Sequence, residues 1–399
     1  MSEHLAMTAV ERRSALALAA VFFLRMLGLF MLIPVLALYV ETLAGATPLL
    51  IGIAIGIYGL TQAAFQIPLG SLSDRVGRRP VILTGLALFA AGALIAAAAK
   101  SIWPVIAGRA VQGAGAVSGA TLALAADLSR DSQRTKVMAI IGISIGGAFS
   151  VAFVLGPVLN ALFGLGGLFL ACALLAVAAV PILFLGVPKP PAPARGAAIP
   201  PLAGTLAAPD LRVLYLGVLT LHLVLAASFV AIPIALTNGM GLPAARHYTV
   251  YLPVLLLSIA LVGPLIMASS RPGTMRPLFF AAILVLGVAE ALVSLWWDDA
   301  VGLYVALTLF FVAFNFLEAS LPGVISRAAP THGKGAALGA YSTFQFVGVF
   351  VGGLAGGAIA GGLGYAAVPA ACAVLCMAWL VLSLRVPGDV LTRPSRRRA

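Results

Sequence analysis

The sequence predicts an all-α membrane protein of twelve transmembrane helices, arranged as two pseudo-symmetric six-helix halves. Composition is the first reason: 62% of the 399 residues are hydrophobic and only 9% are charged. A soluble domain runs near half apolar and a quarter charged. A soluble globule cannot hide this much apolar surface, and a disordered chain would be polar, so both classes are excluded. Continuity is the second: the apolar runs exceed about 18 residues, and they lack the alternation a membrane β-barrel requires. Length is the third, since about 33 residues per span and loop leaves room for about twelve spans.

The first six spans are expected over 14–40, 47–73, 80–99, 103–127, 136–163 and 165–187, within an N-terminal half of residues 1–187. Pro188-Lys189-Pro190-Pro191-Ala192-Pro193 then opens a linker, 188–208, because proline at this density cannot continue a helix. The C-terminal half, 209–386, holds expected spans at 209–238, 246–270, 276–297, 300–326, 335–362 and 366–386. A basic tail, 387–399, follows. Cys172, Cys372 and Cys376 all fall in apolar runs and read as small buried hydrophobes, without disulfide or metal spacing.

The net charge of +12 records orientation. With the N-terminus in the cytoplasm, 20 of the 24 Lys and Arg residues fall in cytoplasmic segments, and only Lys100 and Arg246 on the opposite face. The chain is thus expected in a bacterial plasma (inner) membrane with both termini on the cytoplasmic side. The basic tail reads as a contact with anionic membrane lipid, with no nucleic-acid partner. The halves also repeat. Pro68, Ser73, Arg75 and Gly77 recur as Pro264, Ser269, Arg271 and Gly273 at an offset of 196, and Phe30, Ile33 and Pro34 recur as Phe229, Ile232 and Pro233 at 199. Parallel duplicated halves are a transporter architecture, with the substrate between halves near midplane.

The loop Gly70-Ser71-Leu72-Ser73-Asp74-Arg75-Val76-Gly77-Arg78-Arg79-Pro80 is the most specific motif. Gly70 suits close approach of a neighbouring helix, and Gly77 a turn with unusual backbone angles. Asp74 suits the positive end of a helix. This loop resembles the signature of the major facilitator superfamily, and Arg109-Ala110-Val111-Gln112-Gly113-Ala114-Gly115 resembles that family's fourth-helix motif. Leu24–Gly28, Ile51–Gln62 and Phe314–Ala319 are similar to its YajR-type, drug/proton antiporter-like branch. On the fifth span Gly146, Gly147, Gly156 and Pro157 follow the antiporter signature, but Val158-Leu159-Asn160 departs from it. The resemblance implies a gate in which Asp74 meets the eleventh helix and Arg75 or Arg78 pairs with Asp127. In the second copy Ser270 replaces Asp74.

Charges inside hydrocarbon need a partner or a wet cavity. Arg25 lies roughly 16 Å into the first span at ~1.5 Å per residue. It is expected either to hold an anion or acid, or to bond backbone carbonyls. Arg109 has Gln112 one turn deeper; its resemblance to the family's fourth-helix motif implies a role in proton coupling, with a structural pair as the alternative. Glu318 is the main candidate for proton exchange, with an ion pair to Arg327 or to an N-half arginine as its alternative. His222 is a titratable candidate or a satisfied structural residue. Glu290 is expected to snorkel to the lipid interface. Tyr58, Gln62, Gln112, Phe149, Phe153, Asn315, Tyr341 and Gln345 are the expected cavity lining, with helix–helix hydrogen bonding as the alternative.

The expected function is secondary active transport by alternating access: proton-coupled efflux of small amphiphilic compounds. Facilitation or proton symport of sugars or small metabolites is the alternative, and a lipid scramblase the alternative of a different class. No Ser/His/Asp set, metal-ligand spacing or P-loop is apparent, so neither an enzyme nor an ATPase is expected. The expectation is accordingly no cofactor and no metal, a proton gradient as energy source, a small-molecule substrate, and a monomer.

Overall fold

A computed structural model of the chain describes residues 6–188, 209–271, 273–329 and 334–385. The linker beyond Pro188 and the basic tail 387–399 lie outside the described residues. The helices in chain order are α1 (Ala9–Phe30), α2 (Leu36–Val40), α3 (Pro48–Val76), α4 (Arg78–Ala97), α5 (Ile102–Ala114), α6 (Ser118–Asp127) and α7 (Asp131–Gly186). They continue with α8 (Pro209–Ile234), α9 (Tyr248–Ser269), α10 (Met275–Leu295), α11 (Ala300–Ala328), α12 (Lys334–Leu363) and α13 (Ala367–Ser383). No strand occurs among the described residues.

The ends and breaks follow from the residues. Thr8 and Glu11 form a reciprocal capping box that opens α1. Pro34 has no N–H to offer Phe30, so α1 stops there, and the turn is closed by Ile33 N to Phe30 O at 3.1 Å. The matching Pro233 lies at the end of α8, where the chain widens into a π-helical turn, Ala235–Gly239. Gly77, between α3 and α4, has φ 99°, and its counterpart Gly273 has φ 82°. Both sit where a side chain would be strained. The duplicated serines repeat as well: Ser73 donates to Gly70 O at 2.6 Å and Ser269 to Ile266 O at 2.7 Å.

Nine helical segments among the described residues are long and apolar enough to cross a membrane. Three local features lie between nine and the expected twelve. Gly164, at φ 67°, bends α7 into two helices that are counted as one. The fourth expected span is broken at Gly115–Val117 into α5 and α6. The last helix, α13, has 17 residues.

The chain divides into two compact units, Met1–Gly45 with Leu60–Ala198, and Ala46–Gly59 with Ile199–Ala399. The division by compactness departs from the halving by sequence at one place: the first part of α3 clusters with the C-terminal helices. The cause is close backbone approach. A methyl group added at Gly52 would collide with Gly353 O, and one at Gly59 with Phe346 O. Small residues at such a crossing let helices meet through dispersion and weak hydrogen bonds. In the first unit α1 packs on α7, and in the second α8 packs on α12. Leu162, Leu174, Leu295 and Leu363 are more than half exposed, as side chains solvated by acyl chains are. The three cysteines are buried and free.

Candidate functional site

The motif loop is built around Arg78. Because Gly77 turns the chain, Arg78 begins α4 beside the last turns of α3. It pairs with Asp74, donates to Ser73 Oγ at 2.7 Å, and reaches Asp127 Oδ2 at the end of α6 at 3.1 Å. One guanidinium thus fastens three helix ends. Of the two arginines the resemblance offered for Asp127, Arg78 is the one in contact, while Arg75 is exposed. Gly70 corrects an expectation. Among the described residues nothing lies within 4 Å of a Cβ added there. The close approaches on α3 occur earlier, at Gly52 against Gly353, at Gly56 against Phe350 and at Gly59 against Phe346.

A second clamp was not foreseen. Arg130 donates through Nε and Nη2 to the two oxygens of Glu11, at 2.9 and 2.8 Å, and its backbone N reaches Oε1 at 3.0 Å. Fork geometry of this kind is specific to arginine. The side-chain hydrogen bonds that Arg130 donates to the Glu11 carboxylate raise the Arg130 pKa above its ordinary value. The Thr8–Glu11 spacing marks a capping box in the sequence. That the same carboxylate also serves Arg130 depends on tertiary packing.

Arg25 is 1% exposed. Its Nη2 donates to Gln62 Oε1 at 3.1 Å and to Gly115 O at 3.2 Å, and its Nη1 to Ser118 Oγ at 3.3 Å. The guanidinium lies 5.9 Å from the Phe89 ring centre. The break between α5 and α6 is what exposes the Gly115 carbonyl, since a continuous helix would occupy it. Gln62 in turn donates to Gln66 at 3.3 Å, and Arg109 to Gln112 at 3.2 Å. Phe149 stands 5.2 Å from Phe30 and 4.6 Å from Phe153 between ring centres. Ser118 and Gln66 belong to this polar network and were not anticipated. The Gln62–Gln66 spacing of one helical turn was the available signal.

In the second unit the structure brings together residues that the sequence offered singly. His222 of α8 lies with its Nε2 3.3 Å from Glu318 Oε2 of α11 and 2.8 Å from Gln345 Nε2 of α12. Tyr341 donates to Glu318 Oε1 at 3.1 Å, and Gln345 Nε2 lies 3.3 Å from the same oxygen. His222 Nδ1 is 3.0 Å from Val218 O, which can only accept, so Nδ1 carries a hydrogen. In a neutral ring Nε2 is then a lone pair, suited to accept from Gln345. A lone pair also faces the Glu318 carboxylate, and that contact becomes a hydrogen bond only when a proton lies between them. Gln345 can donate to either partner. The Glu318 side chain keeps 34% of its surface exposed, so the cluster is not sealed. The side chain that meets its carboxylate is His222, and among the described residues Arg327 does not pair with it.

Glu290 corrects a second expectation. It is 0% exposed and does not snorkel. It shares the inward face of α10 with Leu286, Ala289 and Val293, where Ser228 of α8 donates to its Oε1 at 2.5 Å. Asn315 donates to Ser258 Oγ at 3.2 Å, and the Tyr58 ring lies 6.3 Å from Phe346. The expected cavity residues thus fall into two sets: Gln62, Gln112, Phe149 and Phe153 in the first unit, and Tyr58, Asn315, Tyr341 and Gln345 in the second.

Comparison with known proteins agrees with this architecture. The chain is 45% identical over 387 residues to the inner membrane transport protein YajR of Escherichia coli (strain K12), covering 94% of this chain and 84% of that one. It is 35% identical over 171 residues to the class G tetracycline resistance protein of Vibrio anguillarum, or 41% of this chain and 42% of that one. A solved bacterial homolog of the human lysosomal transporter Spinster, in an inward-facing and occupied conformation, superposes with a TM-score of 0.77 at 12% identity, covering 98% of this chain and 100% of that one. The Major Facilitator Superfamily model matches residues 18–353. The chain therefore belongs to the Major Facilitator Superfamily and is a multi-pass membrane transporter, not an enzyme.

Proposed function

We propose that the protein is a proton-coupled exporter of small amphiphilic compounds in the bacterial plasma membrane, with both termini cytoplasmic, acting as a monomer. The observation that carries this reading is the His222–Glu318–Tyr341–Gln345 cluster. Its geometry has two hydrogen-bond arrangements that differ by one proton. With the proton present, His222 and Glu318 bond each other and Gln345 turns to the carboxylate. With it absent, Gln345 donates to His222, and Glu318 keeps Tyr341. A group that changes partners on protonation is the kind of bistable element a proton gradient can bias.

In alternating access the two duplicated halves rock about a central substrate site. The Arg78–Asp74–Asp127 fastening serves as the cytoplasmic gate, and the amide and aromatic residues of each half supply the substrate lining. The similarity to a tetracycline resistance protein supports efflux, and that to an inner membrane protein supports the location.

Flux in proteoliposomes tests the proposal. An amphiphilic fluorescent substrate should move against its gradient when an opposing proton gradient is imposed, and collapsing that gradient should stop it. Flux indifferent to the gradient would make the protein a facilitator, co-directional flux would make it a symporter, and flipping of labelled lipid without solute flux would make it a scramblase.

A further inference from the structure

A cleft of about 470 Å³ opens where the start of α1, the start of α4 and the end of α7 meet. It is lined by Val10, Arg13, Arg79, Phe184, Leu185 and Val187, among others. Two guanidinium groups point into one place. Arg13 donates through Nη2 to Leu185 O, and Arg79 through Nη2 to Val187 O. These acceptors are neutral carbonyls at the end of α7, which helix geometry leaves unused. Neither arginine has a carboxylate within ion-pair distance among the described residues, and no acid lines the cleft. Arg79 Nε is buried and has no hydrogen-bond partner there. Beside the two cations, Val10, Phe184 and Leu185 are 58%, 53% and 74% exposed at the end of membrane-spanning helices.

A pair of forked cations with spare donors, bordered by exposed apolar side chains, matches one kind of occupant. We propose that this cleft binds the phosphodiester headgroup of an anionic phospholipid, with its acyl chains along Phe184 and Leu185. The positive-inside count places the cleft at the cytoplasmic leaflet, where anionic lipids attract juxtamembrane basic groups. Arginine suits the role because its planar fork bonds phosphate in two places. The site does not depend on proton coupling or on the direction of transport. Its position matters to the gate, since Arg79 adjoins Arg78.

The test is binding by purified protein in mixed micelles of phosphatidylglycerol and phosphatidylcholine, read by native mass spectrometry and thermal unfolding. Phosphatidylglycerol should bind and raise the melting temperature, and phosphatidylcholine should not. R13Q/R79Q should weaken phosphatidylglycerol binding on the order of thirtyfold, and R13K/R79K should keep the charge effect but lose part of the affinity. Equal response of wild type and R13Q/R79Q would overturn the proposal, as would stabilisation by inorganic phosphate alone to the same extent. If R13Q/R79Q does not fold, a headgroup-proximal photo-crosslinking phosphatidylglycerol on the wild-type protein decides. Crosslinks at residues 10–13, 79 and 184–188 support the site, and crosslinks only elsewhere refute it.

Discussion

Replacing Ser228 by alanine strips Glu290 of its hydrogen-bond donor. Glu290 is 0% exposed, and its Oε2 has no partner among the described residues, so the Ser228 contact at 2.5 Å carries the satisfaction of the carboxyl. Leaving a buried polar group unsatisfied costs about 1–3 kcal/mol. At about 2–4 °C per kcal/mol for a unit of this size, S228A should melt roughly 2–12 °C below wild type. Exchanging both partners for apolar groups removes the penalty instead of exposing it. S228A/E290L should therefore recover most of the loss, giving a coupling of opposite sign to simple additivity. The assay is thermal unfolding of purified protein by intrinsic fluorescence, with transport measured on the same preparations. The account also requires S228A/E290L to retain gradient-driven transport, because Glu290 is fully buried and bonds Ser228 instead of a member of the Glu318 cluster. An S228A protein as stable as wild type would refute the energetic reasoning. An E290L protein that folds but loses proton dependence would refute the assignment of Glu290 as a structural acid.

The other predictions follow from the same geometry. R78Q should destabilise the protein by roughly 1–2 kcal/mol, because its pairs are partly exposed and each is worth at most about 1 kcal/mol, and it should slow transport well beyond what R75Q does. Comparable flux of the two variants would separate the Arg78 contacts from gating. G353V should push α3 from α12 and cost about 1–3 kcal/mol as overpacking, whereas G70V should be tolerated in unfolding scans. An equal loss at the two positions would contradict the packing described for α3.

The parts of the fold visible in the sequence are those that depend on local chemistry. Continuous apolar runs mark the spans, and the duplicated Gly77 and Gly273 both take the positive φ that their place in the motif suggested, whereas the stop at Pro34 inside the expected span 14–40 was not foreseen. What the sequence does not show is which side of a membrane helix faces inward. In water the buried face is apolar and the outer face polar, so the pattern has a direction. In lipid both faces are apolar, and that signal vanishes. Glu290 was therefore expected at the lipid interface and Glu318 was left without a fixed partner, yet Glu290 is buried against Ser228 and Glu318 faces His222. The Arg25 network was hidden for a related reason. Its acceptor, Gly115 O, is freed by a helix break with no proline to announce it. Close contacts between distant segments, such as Gly52 with Gly353, need the tertiary arrangement before any glycine can be singled out.

The central claim is that Glu318 and His222 hold the coupled proton. The most direct measurement is proton movement accompanying substrate transport in proteoliposomes, followed with an entrapped pH indicator, for wild type and E318Q. Glutamine preserves the size of the side chain and the acceptor for Tyr341 but cannot bind or release the proton. The account predicts that wild type moves protons opposite to substrate, while E318Q folds, binds substrate and moves none. Proton movement by E318Q at the wild-type ratio would contradict it.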